Sequence, residues 1–143
     1  MAQQSWDVVV DVARQPRQMR RAVHALAQRA ASFTFVSTGN VYADHSKHNS
    51  DETSALLPPL DGEVMADMGS YGEAKVACEQ AVTSGFGPDR YLIARAGLVG
   101  GPGYVSSRTG YWPARFANPA TSDGSVLVPD APSTQVAMID VRD

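Results

Sequence analysis

Tyr71 and Lys75 are the residues with the clearest chemical use. They stand four apart in Ser70-Tyr71-Gly72-Glu73-Ala74-Lys75, so on a helix both side chains share one face. A free tyrosine, with a pKa of about 10, is a poor base at neutral pH. An ammonium group one turn away favours the phenolate, and a helix N-terminus pushes the same way. The pair therefore suits general acid/base work. Y-x-x-x-K alone is a weak signal, and an exposed helical Tyr/Lys pair is the plain alternative.

Ser37 and Thr38 form the second chemical feature. They close the run Ser32-Phe33-Thr34-Phe35-Val36-Ser37-Thr38, which reads as a strand. Open parallel sheets bind ligands at the C-terminal ends of strands. A hydroxyl there can hydrogen-bond the substrate oxygen whose proton Tyr71 handles, or can simply finish the strand.

Three other features carry less. His45 and His48, with Asp44, Asp51 and Glu52, fit no helix-based zinc spacing and read as a solvated loop, so no metal is expected. Cys78 shares a helix face with Ala74 and Ala81 and reads as a small core residue. Gly97-Leu98-Val99-Gly100-Gly101-Pro102-Gly103 fits G-x-x-G-x-x-G, but a dinucleotide turn must run straight into a helix. Here Pro102, Gly103 and a polar run follow.

The elements that would position these residues alternate. Asp7–Val12 is a β-branched run bounded by Asp, as in a buried strand. Pro16 opens a helix whose apolar positions Met19, Ala22, Val23, Leu26, Ala27 and Ala30 predict about four amphipathic turns. The strand at 32–38 follows. Gly39 to about Gly69 is a long polar connection, and such loops are usually functional. Ser70 and Glu73 match a capping box that starts a second helix, with Gly85 and Gly87 ending it. Tyr91–Ala94 is a third strand, and Gly97 to Gly103 a glycine-rich turn. A short helix is expected near Tyr111–Phe116, with short strands at Val126–Val128 and Val136–Ile139. Strand, helix, strand with short connections makes parallel crossover units. Only two good helices are visible, whereas a parallel sheet wants both faces covered.

Composition narrows the classes. The 143 residues suit one ordinary domain. A hydrophobic share of 43% against 19% charged residues supports a packed core. Lys plus Arg number 12 against 15 Asp plus Glu, which argues against nucleic acid as the partner. A single cysteine excludes an internal disulfide framework and suits a cytoplasmic, reducing location. No apolar stretch approaches the roughly 20 residues of a membrane span, and the start shows no secretory pattern.

Four blocks in order carry a resemblance: Phe35-Val36-Ser37-Thr38-Gly39-Asn40-Val41-Tyr42, Tyr71-Gly72-Glu73-Ala74-Lys75, Ala94-Arg95-Ala96-Gly97-Leu98-Val99-Gly100-Gly101-Pro102-Gly103, and Ile139-Asp140-Val141-Arg142-Asp143. Together they resemble the extended short-chain dehydrogenase/reductase superfamily, in its NAD-dependent epimerase/dehydratase branch. The resemblance implies a three-layer α/β, Rossmann-type parallel sheet over residues 1–100 and the start of a substrate-binding lobe over 101–143. It implies NAD or NADP as cofactor and a small-molecule substrate. It implies a catalytic set of Thr38, Tyr71 and Lys75, in which Thr38 hydrogen-bonds the substrate oxygen, Tyr71 is the acid/base and Lys75 holds the nicotinamide ribose. Val12, Ala13, Ser37, Ala96, Gly97, Leu98 and Val99 would border the cofactor. Asn40, Arg108, Tyr111 and Trp112 would face substrate.

The family's phosphate-binding glycine turn and its cofactor-selecting residue would precede everything seen here. The chain thus resembles the middle of a protein about twice as long, whose missing half could also come from another polypeptide. The expected activity is NAD(P)-dependent oxidoreduction or epimerisation. A truncated or non-catalytic binding module of the same superfamily is the alternative. Many relatives dimerise through helices flanking the sheet, including the one carrying Tyr71, so a homodimer is the expected assembly.

Overall fold

The computed structural model describes residues 4–104, 110–134 and 136–142. The chain is mixed α/β and divides into two compact units, Met1–Ala96 and Gly97–Asp143.

The first unit runs β1 (Trp6–Asp11), α1 (Pro16–Leu26), β2 (Ala30–Thr38), α2 (Tyr71–Gly85) and β3 (Tyr91–Ala96). Its sheet has the order β1-β2-β3 and both pairings are parallel. Side chains of a strand alternate between faces. Phe33, Phe35 and Ser37 of β2 are buried beneath the helices. Met19 and Val23 of α1 and Cys78 and Val82 of α2 close over Phe33 and Phe35, so both helices cover one face. The opposite face is bare: Val8, Val10 and Leu92 are 57%, 64% and 59% exposed. Among the described residues of the first unit, helices pack on one face of the sheet, and the second helical layer of a three-layer arrangement is not seen.

The helices differ from the sequence reading in their ends. α1 has 11 residues, about three turns instead of four, and Arg90 Nη2 ties its C-cap to the start of β2, donating to Ala27 O at 2.8 Å and to Ala30 O at 2.6 Å. The capping box does not form. A 3-10 turn at Met68–Ser70 precedes α2, and the Ser70 hydroxyl donates backwards to Asp67 O at 3.2 Å. Asp67 caps that turn by accepting from Gly69 N at 2.9 Å. Gly85 ends α2, but not with a left-handed backbone. Its lack of a side chain is used against Val23, whose Cγ1 would lie 2.0 Å from a β-carbon there.

The long connection between β2 and α2 is tied down at intervals. Tyr42 bridges Leu56, Leu57 N donates to Val41 O at 2.8 Å, and Arg17 N donates to Glu63 O at 2.9 Å. The Gln15 side chain accepts from Met65 N at 2.8 Å.

The second unit holds β4 (Leu98–Gly100), α3 (Tyr111–Ala117) and β5 (Met138–Asp140), with β4 and β5 parallel. The expected glycine turn at 97–103 is thus a strand in its first half. It is stopped by Gly101 and Gly103, whose φ angles are 111° and 81°. Val126–Val128 forms no strand, and Leu127 is 92% exposed. No helix among the described residues is long and apolar enough to cross a membrane.

Candidate active site at the C-terminal end of the parallel sheet

The two hydroxyls ending β2 face opposite ways. Ser37 points under the helices and donates to Glu79 Oε1 at 2.5 Å, buried. Thr38 points to the other side and is half-buried. Its Oγ1 accepts from Asn40 N at 3.3 Å, capping the 3-10 turn Gly39–Val41. Ser37 is committed to packing, and Thr38 remains reachable.

That 3-10 turn is what α2 lands on. Gly72 is buried in the first turn of α2. A β-carbon on it would lie 2.4 Å from Asn40 O and 2.5 Å from Leu57 Cδ1. Such distances admit no side chain, so glycine lets the helix start sit directly against the backbone following Thr38. Leu60 N closes the same end by donating to Glu73 O at 2.8 Å. Tyr71, next to Gly72, is half-buried and occupies the helix N-terminus, where the aligned backbone dipoles favour negative charge.

Lys75 lies one turn further on and is 2% exposed. Its ammonium donates to Val36 O at 2.7 Å and Ala13 O at 3.0 Å, and sits 4.0 Å from the Phe35 ring centroid. It bridges the C-terminal ends of β1 and β2. Lysine has three donors, and these carbonyls take two. Burial pushes its pKa below the usual lysine value, against the opposing pull of Cys78, Asp11 and Glu79. Cys78 is fully buried beside it, and burial raises the thiol to about 11.

The buried Glu79, one turn beyond Lys75, pairs with the partly buried Arg95. Arg95 of β3 donates to Glu79 through Nε at 3.1 Å and Nη2 at 2.8 Å. Its Nη1 reaches the Tyr42 hydroxyl at 3.4 Å, and its guanidinium lies 5.2 Å from the Tyr42 ring centroid. The Glu79 hydrogen bonds hold Arg95 charged, above the usual guanidinium value. Neither Glu79 nor Gly72 stood out in the sequence. Glu79 at Lys75+4 was a usable signal, since that spacing places both on one helix face. A pocket of 820 Å³ opens beside this pair, between α2, the edge of β3 and the segment carrying Leu56.

The remaining expected residues divide between the units. Val12 follows β1 and is 72% exposed. Ala13 gives its carbonyl to Lys75 and its N–H to Asp11 Oδ1 at 2.6 Å. Ala96 ends β3 in register with Thr38. Asn40 is exposed in the turn after Thr38. Thr38, Tyr71, Lys75, Val12, Ala13, Ala96 and Asn40 thus belong to the first unit. Gly97, Leu98 and Val99 belong to the second, where Leu98 and Val99 pair with Met138 and Ile139. Gly97 is held against Ala137, whose carbonyl oxygen would lie 2.6 Å from a β-carbon. Tyr111 and Trp112 are exposed on α3 and stack edge-on, with centroids 5.0 Å apart. Tyr111 and Arg115 line a pocket of 540 Å³ in that unit. Arg108 lies outside the described residues.

Among the described residues no group of His, Cys, Asp and Glu is arranged to hold a metal ion. Comparison with known proteins finds no matching family model, no matching curated protein and no matching solved structure.

Proposed function

We propose that the chain carries the chemistry its motifs resemble, that of an NAD- or NADP-dependent oxidoreductase or epimerase of the extended short-chain dehydrogenase/reductase type, on a Rossmann-type sheet. The observation that carries this reading is the seating of Gly72 against Asn40. It brings the start of α2, with Tyr71, against the turn that leaves Thr38. The parallel order β1-β2-β3 supports it, because ligands of such sheets bind beyond the carboxyl ends of the strands.

The nicotinamide-ribose end of a dinucleotide fits the residues present. Lys75 keeps a third donor at the strand ends, and Val12, Thr38 and Ala96 border the same edge. The connection from β1 to α1, Val12-Ala13-Arg14-Gln15, has no glycine to cradle a pyrophosphate. When bound, the cofactor supplies or accepts hydride. Thr38 then hydrogen-bonds the substrate oxygen and orients it. Tyr71 donates its phenolic proton to that oxygen as it becomes an alcohol, or takes the proton in the reverse direction. The Lys75 charge and the helix N-terminus stabilise the phenolate left behind. Buried main-chain acceptors hold Lys75 in place without removing its charge.

A non-catalytic binding module of the same superfamily is the second reading. It is favoured by the commitment of Lys75 to two carbonyls and by the glycine-free β1–α1 connection. Titrating the folded chain with NADH and NADPH, with Trp6 and Trp112 as fluorescence reporters, separates the two. Saturable quenching that weakens in Lys75→Met supports the catalytic reading, whereas a folded chain that binds neither cofactor favours the module.

A further inference from the structure

A buried carboxylate persists only where its oxygens are satisfied, and Glu79 is 3% exposed. Its Oε1 accepts from Ser37 Oγ and Arg95 Nε, and its Oε2 from Arg95 Nη2. The partners come from β2 and β3, and Arg95 also reaches Tyr42. Ser37 adjoins Thr38. Glu79 follows Lys75 by one helical turn and Tyr71 by two.

The apolar face of α2 is built from Ala74, Ala77, Cys78 and Val82. Such small side chains raise only shallow ridges, and hydrophobic contact is non-directional. They hold α2 onto the sheet without fixing where along it the helix stops. A forked guanidinium–carboxylate contact is directional. We propose that Glu79, clamped by Arg95 and Ser37, is a positioning residue that, together with the Gly72–Asn40 seating of the first turn, fixes the axial register of α2 and thereby the placement of Tyr71 and Lys75 beside Thr38. This inference rests on the functional reading of those three residues.

The test uses nuclear magnetic resonance spectra of the full cofactor-free chain. The Lys75 ammonium signal is assigned with Lys75→Arg and the Tyr71 ring signals with Tyr71→Phe. In Glu79→Gln and in Arg95→Lys, the Lys75 ammonium signal should be lost to solvent exchange and the Tyr71 ring signals should move. Phe33 and Phe86, which pack together in the core, should keep theirs. A merely structural strut would lower the melting temperature and leave the Tyr71 and Lys75 signals in place, and that result overturns the proposal. If Glu79→Gln does not fold, Arg95→Lys, which keeps the charge and removes the fork, decides. Failure of the wild type to bind NADH or NADPH counts against the functional reading alone, because these spectra are read without cofactor.

Discussion

Gly72 and Asn40 touch main chain to main chain: the place where a β-carbon would sit on Gly72 is 2.4 Å from the Asn40 carbonyl oxygen. This contact sets how closely the helix bearing the phenol approaches the strand bearing the hydroxyl. Because the obstacle is backbone, it cannot swing aside as a flexible side chain would. Gly72→Ala should cost about 1–3 kcal/mol of stability, the range for overpacked sites, despite alanine's better helix propensity. Urea unfolding of the two proteins checks it. A stabilised variant would mean that α2 does not sit on the turn after β2.

Arg95 and Glu79 predict a second, larger loss. Their side chains are 16% and 4% exposed, so removing one partner strands a charge in a poorly solvated place. Arg95→Met should destabilise the chain by about 3–5 kcal/mol. The exposed ion pair of Arg142 and Asp140, with the arginine 71% exposed, is the internal comparison. Arg142→Met should leave stability nearly unchanged. Equal effects in the two variants would contradict the buried network.

Lys75 gives a pH signature with a definite sign. Burial holds its pKa below the usual lysine value of about 10.5. Between its folded pKa and the unfolded value near 10.5, the unfolded chain keeps a proton that the folded chain has released. Stability rises with pH wherever the unfolded state binds more protons. The stability of wild type relative to Lys75→Met should therefore increase as pH is raised through that interval. Chemical denaturation at a series of alkaline pH values measures it, and a difference that falls with pH is the contrary result.

Cys78 should be inert in the folded chain. It is fully buried, and its thiol is raised to about 11, whereas thiolate is the reactive form. Modification by a disulfide reagent near neutral pH should be slow in buffer and fast in denaturant. Fast labelling of the native chain would place Cys78 outside the core.

Much of the first unit was legible because its signals are local. The β-branched run of β1, the Pro16 start of α1 and the aromatic and β-branched run of β2 each follow from neighbouring residues, but β1 is not the buried strand expected, since Val8 and Val10 are exposed. Ends were less legible. Ser70 and Glu73 have the spacing of a capping box, yet the 3-10 turn governed by Asp67 occupies the Ser70 hydroxyl. Long-range geometry was not legible at all. Nothing near Glu79 announces Arg95 or Ser37, and Gly72 looks like an ordinary helix-weakening glycine until Asn40 is brought beside it. In the second unit, Val126–Val128 has strand-forming residues but pairs with no strand among the described residues, and propensity without pairing does not make a strand.

The central claim is that Tyr71 and Thr38 face the nicotinamide of a bound dinucleotide, and magnetisation transfer tests it most directly. With NADH added to the folded wild-type chain, intermolecular nuclear Overhauser effects should run from the nicotinamide ring protons to the Tyr71 ring and the Thr38 methyl group. They should vanish for the ring in Tyr71→Phe spectra assigned at the tyrosine frequencies. Saturable binding with the nicotinamide protons contacting residues elsewhere, and none at Thr38 or Tyr71, would contradict the account.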